Sequence, residues 1–157
     1  FVTLVFCIYR PLEMTDTLCP KNISYRLDHV MLRVMDLNRS LAFYRDTLGM
    51  QVLRQVDYEA GQFTNVFLSF DANTESSLEL TYNWQQTEAY EKGRVFGHLA
   101  LMVDDVHATV AALEQAGVRI KTPPKQMVHG TRTIAFVLDP DDNLIELLEP
   151  LAEKMGV

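Results

Sequence analysis

Hydrophobic and polar positions along the chain follow two periods in turn. From Leu27 to Val34, residues Leu27, His29, Met31 and Arg33 interleave with Asp28, Val30, Leu32 and Val34, a period of two that predicts a strand with two usable faces. The period then lengthens. Leu37, Leu41, Tyr44 and Leu48 recur at helical spacing, Asp36 or Asn38 can cap the start, and Gly49 can end the run in a left-handed conformation, so a helix is predicted over 38–48. Three β-rich runs follow near 51–57, 64–70 and 78–83, divided by Gly61 and the polar stretch from Asp71 to Ser77. The order then returns: a strand near 98–103, a helix near 105–116 with Val106, Val110 and Leu113 inward and Gly117 as terminator, and strands near 118–121, 132–138 and 143–148. Each half reads βαβββ, an α+β organisation.

The return is a repeat of residues as well as of periods. DHVMLRVMDLNRSLAFY from Asp28 aligns without a gap with GHLALMVDDVHATVAAL from Gly97, bringing His29 onto His98, Leu32 onto Leu101, Val34 onto Val103, Asp36 onto Asp105 and Ala42 onto Ala111. Downstream, VFLSFDANTESSLELTYN, which ends near Glu79, resembles IAFVLDPDDNLIELLEP, which contains Glu146. One domain over 25–150 is expected, with repeat 1 at about 26–84 and repeat 2 at about 97–150. Residues 1–24 read as an extension, disordered or foreign to the fold, and 151–157 as a tail. The opening nine apolar residues are too few to span a bilayer and lack the flanks of a signal peptide.

Composition narrows the partners. The chain has 157 residues, 48% hydrophobic and 22% charged, as in an ordinary folded domain. With 14 Lys+Arg against 21 Asp+Glu its net charge is −7, which argues against nucleic acid or an anionic membrane as partner and requires any anionic ligand to be held by local cations. Cys7 and Cys19 form neither a CxxC motif nor a disulfide framework, so the cytoplasm is the expected compartment.

Each half thus carries a His near its start and a Glu near its end, 50 residues apart in one and 48 in the other. On a strand His29 faces the same way as Arg33, Glu79 the same way as Thr81 and Asn83, and Glu146 the same way as Leu144 and Leu148. A carboxylate among apolar neighbours needs a cationic partner. A lone His at a strand start is more often a hydrogen-bonded core residue than a ligand, but four residues at matching places of a duplicated unit point to a shared metal ion. Imidazole with carboxylate suits divalent nickel, cobalt, zinc, iron or manganese, and a set of His29, Glu79, His98 and Glu146 leaves two octahedral positions for water or substrate. His107, on the second helix, and His129, in a polar loop, have no matching counterpart and read as non-ligands. No phosphate loop, GxSxG elbow or HExxH is present, and Asp139-Pro-Asp-Asp142 reads as a turn between strands.

The paired pattern resembles the vicinal oxygen chelate superfamily, and DHVMLRVMDLNRSLAFYRDTLGM, LELTYNW, GHLAL and IAFVLDPDDNLIELLEP resemble glyoxalase I, the lactoylglutathione lyases, of the short bacterial type. The resemblance covers about residues 26–150. It puts the family's metal ligands on the same His29, Glu79, His98 and Glu146, its glutathione contacts on Arg33, Asn83 and Arg94, and, in a looser match, on Lys125 and Met127 of a mobile loop over the substrate at Thr122–Gly130. It implies a domain-paired homodimer in which His29 and Glu79 of one chain meet His98 and Glu146 of the other. The implied reaction isomerises the hemithioacetal of methylglyoxal and glutathione to S-lactoylglutathione through a metal-stabilised enediolate, with Glu146 as the base and Glu79 as its near-symmetric counterpart. Nickel is the metal the short bacterial type favours, with cobalt or zinc as alternatives that the ligand set itself does not separate. Where the family has Gly after Asp-Pro-Asp, this chain has Asp142, a residue less suited to positive φ. Other readings are an extradiol dioxygenase, against which the fourth ligand counts; a metal-dependent thioester epimerase; and a metal-free protein that sequesters an antibiotic, which has no need of four matched ligands.

Overall fold

The computed structural model describes residues 24–74, 76–128 and 130–151. Residues 1–23 of the expected N-terminal extension, both cysteines and His129 lie outside the described residues, as do residues 152–157 of the tail. The order is β1 His29–Val34, α1 Leu37–Leu41, β2 Gln51–Tyr58, β3 Phe63–Ser69, β4 Ser77–Asn83, then β5 Leu99–Met102, α2 Val106–Gln115, β6 Arg119–Gln126, β7 Thr133–Leu138 and β8 Leu144–Leu148. The two halves have one topology: the sheets run β1-β4-β3-β2 and β5-β8-β7-β6, with β1 parallel to β4 and β5 parallel to β8 and the other pairings antiparallel. This is the doubled βαβββ arrangement that the repeat predicts.

Matching local chemistry builds both helices. Asp36 and Asp105, equivalent in the repeat, cap α1 and α2 by accepting from Arg39 N and Ala108 N. Gly49 and Gly117 end the helical segments at φ +81° and +82°, the left-handed terminators that only glycine adopts without strain. The first helix departs from expectation. Its regular part ends at Leu41 and residues Ala42–Thr47 form a wider turn, with Leu48 N bonded to Phe43 O at 2.9 Å and Thr47 Oγ1 donating to Ala42 O at 3.0 Å. The wide turn lets two consecutive rings, Phe43 and Tyr44, both enter the core. On each sheet one strand face joins the helices in a single core, with Val34, Leu68 and Leu80 from the first half and Val106, Val137 and Ile145 from the second. The other face carries His29, Met31, Arg33, Glu79 and Glu146.

The sixth strand is longer than expected, and this corrects the loop reading of 122–130. Residues Thr122–Gln126 continue β6, with Lys125 opposite Ile134, and Met127 N bonds to Arg132 O at 3.0 Å in the hairpin that follows. Pro123 and Pro124 obscure the strand pattern in the sequence, yet β6 is an edge strand, where a missing N–H costs least. Asp142 does adopt positive φ, +63°, and its carboxylate is paired with Arg119, which holds it below the usual carboxylate range.

Candidate active site

Parallel pairing of β1 with β4 sets Glu79 beside Met31, two residues from His29 on the same strand face, and pairing of β5 with β8 sets Glu146 beside Ala100 in the equivalent register. His29 Nε2 lies 2.9 Å from Glu79 Oε2, and His98 Nε2 lies 3.1 Å from Glu146 Oε2. Glu79 is buried and Glu146 half-buried. The four predicted ligands are therefore brought together as two like pairs, one per half. Among the described residues no third His, Cys, Asp or Glu completes either pair into a metal-holding group.

The donor geometry fits a metal. Two ligands side by side on an octahedral ion at ~2.1 Å stand ~3.0 Å apart, close to both observed separations. His29 Nδ1 also lies 2.7 Å from Asp28 Oδ2. An imidazole that gives its Nδ1–H to Asp28 presents an Nε2 lone pair to a carboxylate lone pair, and a shared cation is what such a pair accommodates.

The repeat extends to groups that the sequence reading passed over. Phe67 lies opposite Glu79 and Phe136 opposite Glu146, and each ring meets its histidine edge to face, with centroids 5.7 and 5.5 Å apart. Each of β2 and β6 carries a bulge at the matching place, which sets Arg54 opposite Phe67 and Thr122 opposite Phe136. The Arg54 guanidinium sits 4.0 Å over the Phe67 ring. The signal was present in the alignment, since the same offset that brings His29 onto His98 brings Phe67 onto Phe136.

The residues expected to hold glutathione are partly gathered. Arg33 shares its strand face with His29 and lines a cavity of about 420 Å³ with Met31, Tyr90, Lys92, Gly97 and Leu144. Asn83 ends β4 and donates its amide to Tyr90 Oη at 2.7 Å, tying the strand to the connection between the halves. Arg94 is exposed in the turn after Gly93, next to that cavity but not in its wall. Lys125 and Met127 are exposed at the far edge of the second sheet. His107 is exposed on α2, away from both pairs.

Residues 26–147 match the Glyoxalase/Bleomycin resistance protein/Dioxygenase superfamily, and the chain belongs to that family. A probable lactoylglutathione lyase of Synechocystis sp. is 44% identical over 127 residues, which are 80% of this chain and 96% of that one. The lactoylglutathione lyase of Neisseria meningitidis serogroup B is 44% identical over 125 residues, 79% of this chain and 90% of the other. Among solved structures, the trypanothione-dependent glyoxalase I of Leishmania major matches with a TM-score of 0.70 at 40% identity, over 80% of this chain and 87% of that one. Glyoxalase I of Zea mays matches with a TM-score of 0.73 at 37% identity over 80% of this chain, which spans about half, 47%, of the maize chain. These relatives set the chain in the lactoylglutathione lyase branch of the family, and it is an enzyme of the lyase class.

Proposed function

We propose that the protein isomerises the hemithioacetal of methylglyoxal and glutathione to S-lactoylglutathione, and that it does so as a homodimer holding a divalent metal between His29 and Glu79 of one chain and His98 and Glu146 of the partner subunit. The observation that carries this reading is the pair of equivalent His–Glu couples, each with two donors at metal-ligand spacing and, among the described residues, no third His, Cys, Asp or Glu that completes it into a metal-holding group. Two such halves from two chains make a four-ligand set. Nickel is the metal we assign, with cobalt and zinc as the alternatives to be titrated.

A bound divalent ion supplies the Lewis acidity that makes the substrate's C–H acidic. The chain's own residues then move the proton. Glu146 takes it from the hemithioacetal carbon and returns it to the adjacent carbon, with Glu79 as the opposing carboxylate, while the hydroxyl proton of the first carbon passes to the oxygen of the second, so one C–H and one O–H bond break, one of each forms and no external oxidant is needed. Arg33, Asn83 and Arg94 hold the anionic thiol by charge-assisted hydrogen bonds. Lys125 and Met127 are assigned to the same task by resemblance alone. Dependence on glutathione fits a reducing cytoplasm.

The test is an assay of metal-stripped protein with methylglyoxal and glutathione, following thioester absorbance before and after nickel, cobalt or zinc is added. Thioester that forms only with metal is expected, fastest with nickel. No thioester with any of the three sinks the reading in favour of epimerase or binding-protein functions. A parallel arm with trypanothione decides the thiol, because the Leishmania relative depends on it.

A further inference from the structure

The two His–Glu pairs are equivalent in the repeat, but what supports them is not. Thr81 Oγ1 donates to Glu79 Oε1 at 3.0 Å, and both side chains are buried, Glu79 at 6% and Thr81 at 9% exposure. Asp28 Oδ2 holds the far nitrogen of His29 at 2.7 Å. In the second half the residues at those places are Leu148 and Gly97, which offer neither a donor to the carboxylate nor an acceptor to the imidazole. Leu144 and Leu148 flank Glu146 on its own strand face, and its carboxylate is set against His98.

We propose that Thr81, with Asp28, is what holds the first-half pair as the fixed arm of the metal centre, a hold that Leu148 and Gly97 do not give to Glu146, the base of the reading above. A carboxylate held through one oxygen presents the other in a set direction, and turning it away breaks a buried hydrogen bond to a charged acceptor. Glu146 has no such bond to break. Two carboxylates that the repeat makes equivalent are thereby held unequally, with Thr81 as a positioning residue that acts through Glu79. This inference rests on the metal-dependent reading above.

The experiment is calorimetric titration of nickel into the metal-stripped, full-length wild type, Thr81→Val, Thr81→Ser, Asp28→Ala and Leu148→Val. Thr81→Val is expected to bind nickel about 10–100-fold more weakly, Asp28→Ala more weakly by a smaller factor because Asp28 is exposed, and Thr81→Ser and Leu148→Val within about threefold of wild type. A second readout compares Glu146→Gln with Glu79→Gln: the greater loss of kcat from Glu146→Gln should shrink toward parity in a Thr81→Val background. Thr81→Val that binds nickel as wild type does, Thr81→Ser as weak as Thr81→Val, or an undiminished difference between the two Glu variants overturns the assignment. Should Thr81→Val fail to fold, Leu148→Thr carries the test, since a hydroxyl given to the second half should tighten nickel binding and lower kcat; no change in either overturns it. Wild type that binds no nickel, cobalt or zinc refutes the metal-dependent reading itself, an outcome distinct from all of these.

Discussion

Tyr44, from the first half, donates its buried hydroxyl to Asp139 Oδ2 of the second at 2.7 Å. Asp139 is 1% exposed and accepts also from Asp141 N, Asn143 N and Asn143 Nδ2. Burial first, and the adjacent carboxylate second, push the phenol far above its ordinary pKa, so it remains a donor at any working pH. Arg39 Nη2 to Pro140 O at 2.6 Å and Met35 N to Asp141 Oδ2 at 3.2 Å dock the same β7–β8 turn on the first half.

Tyr44→Phe removes one charge-assisted bond and leaves a buried carboxylate oxygen with one donor fewer. A loss of about 1.5–3 kcal/mol is expected from urea denaturation. A loss under about 0.5 kcal/mol means that the junction is held by packing alone.

Glu146→Gln keeps the shape of the side chain and removes its capacity to take a proton. Turnover should fall by more than roughly a hundredfold while metal remains bound, as measured by steady-state kinetics beside metal analysis of the same sample. Near-normal turnover assigns the base elsewhere.

Sites built from two chains have a consequence that sites within one chain cannot reproduce. His29→Ala and His98→Ala homodimers should both be inactive, yet unfolding and reassociating them together should restore about one quarter of wild-type activity, since half the dimers are mixed and each mixed dimer has one intact site. A mixture as inactive as its parents places each site within a single chain.

Arg33→Ala and Arg94→Ala are each expected to raise KM for the hemithioacetal about 10–100-fold with kcat held within about threefold, because a contact to the non-reacting part of the substrate binds ground and transition states alike. An Arg94→Ala variant with unchanged KM returns that residue to the exposed turn it occupies.

Burial raises the pKa of Asp141 above the ordinary carboxylate value, outweighing the bond it accepts from Met35 N. A carboxyl that binds its proton more tightly folded than unfolded opposes folding once ionised, so its contribution worsens as pH rises through its folded pKa and vanishes below the unfolded one. Asp141→Asn keeps an acceptor for Met35 and should therefore have a higher Tm than wild type at pH 7 and an equal one at pH 3. A variant less stable at pH 7 shows that the charge itself serves the junction.

The sequence by itself determined the doubled βαβββ order, a cap for the first helix, the glycine terminators and the identity of all four candidate ligands. These features are periodic or local: a strand face repeats every second residue, a cap lies three residues from its partner, and a duplicated unit shows its matched positions by alignment alone. What it left open depends on contacts between distant segments. Pro123 and Pro124 looked like a loop until the edge position of β6 made their missing N–H groups harmless. The wide turn at Ala42–Thr47 follows from burying Phe43 and Tyr44 together beside Asp139. The rings that meet each histidine, and the hydroxyl of Thr81 against one glutamate but none against the other, were decided by strand register in the tertiary structure. Spacing along a chain tells which residues correspond, and only the pairing of strands tells which of them touch.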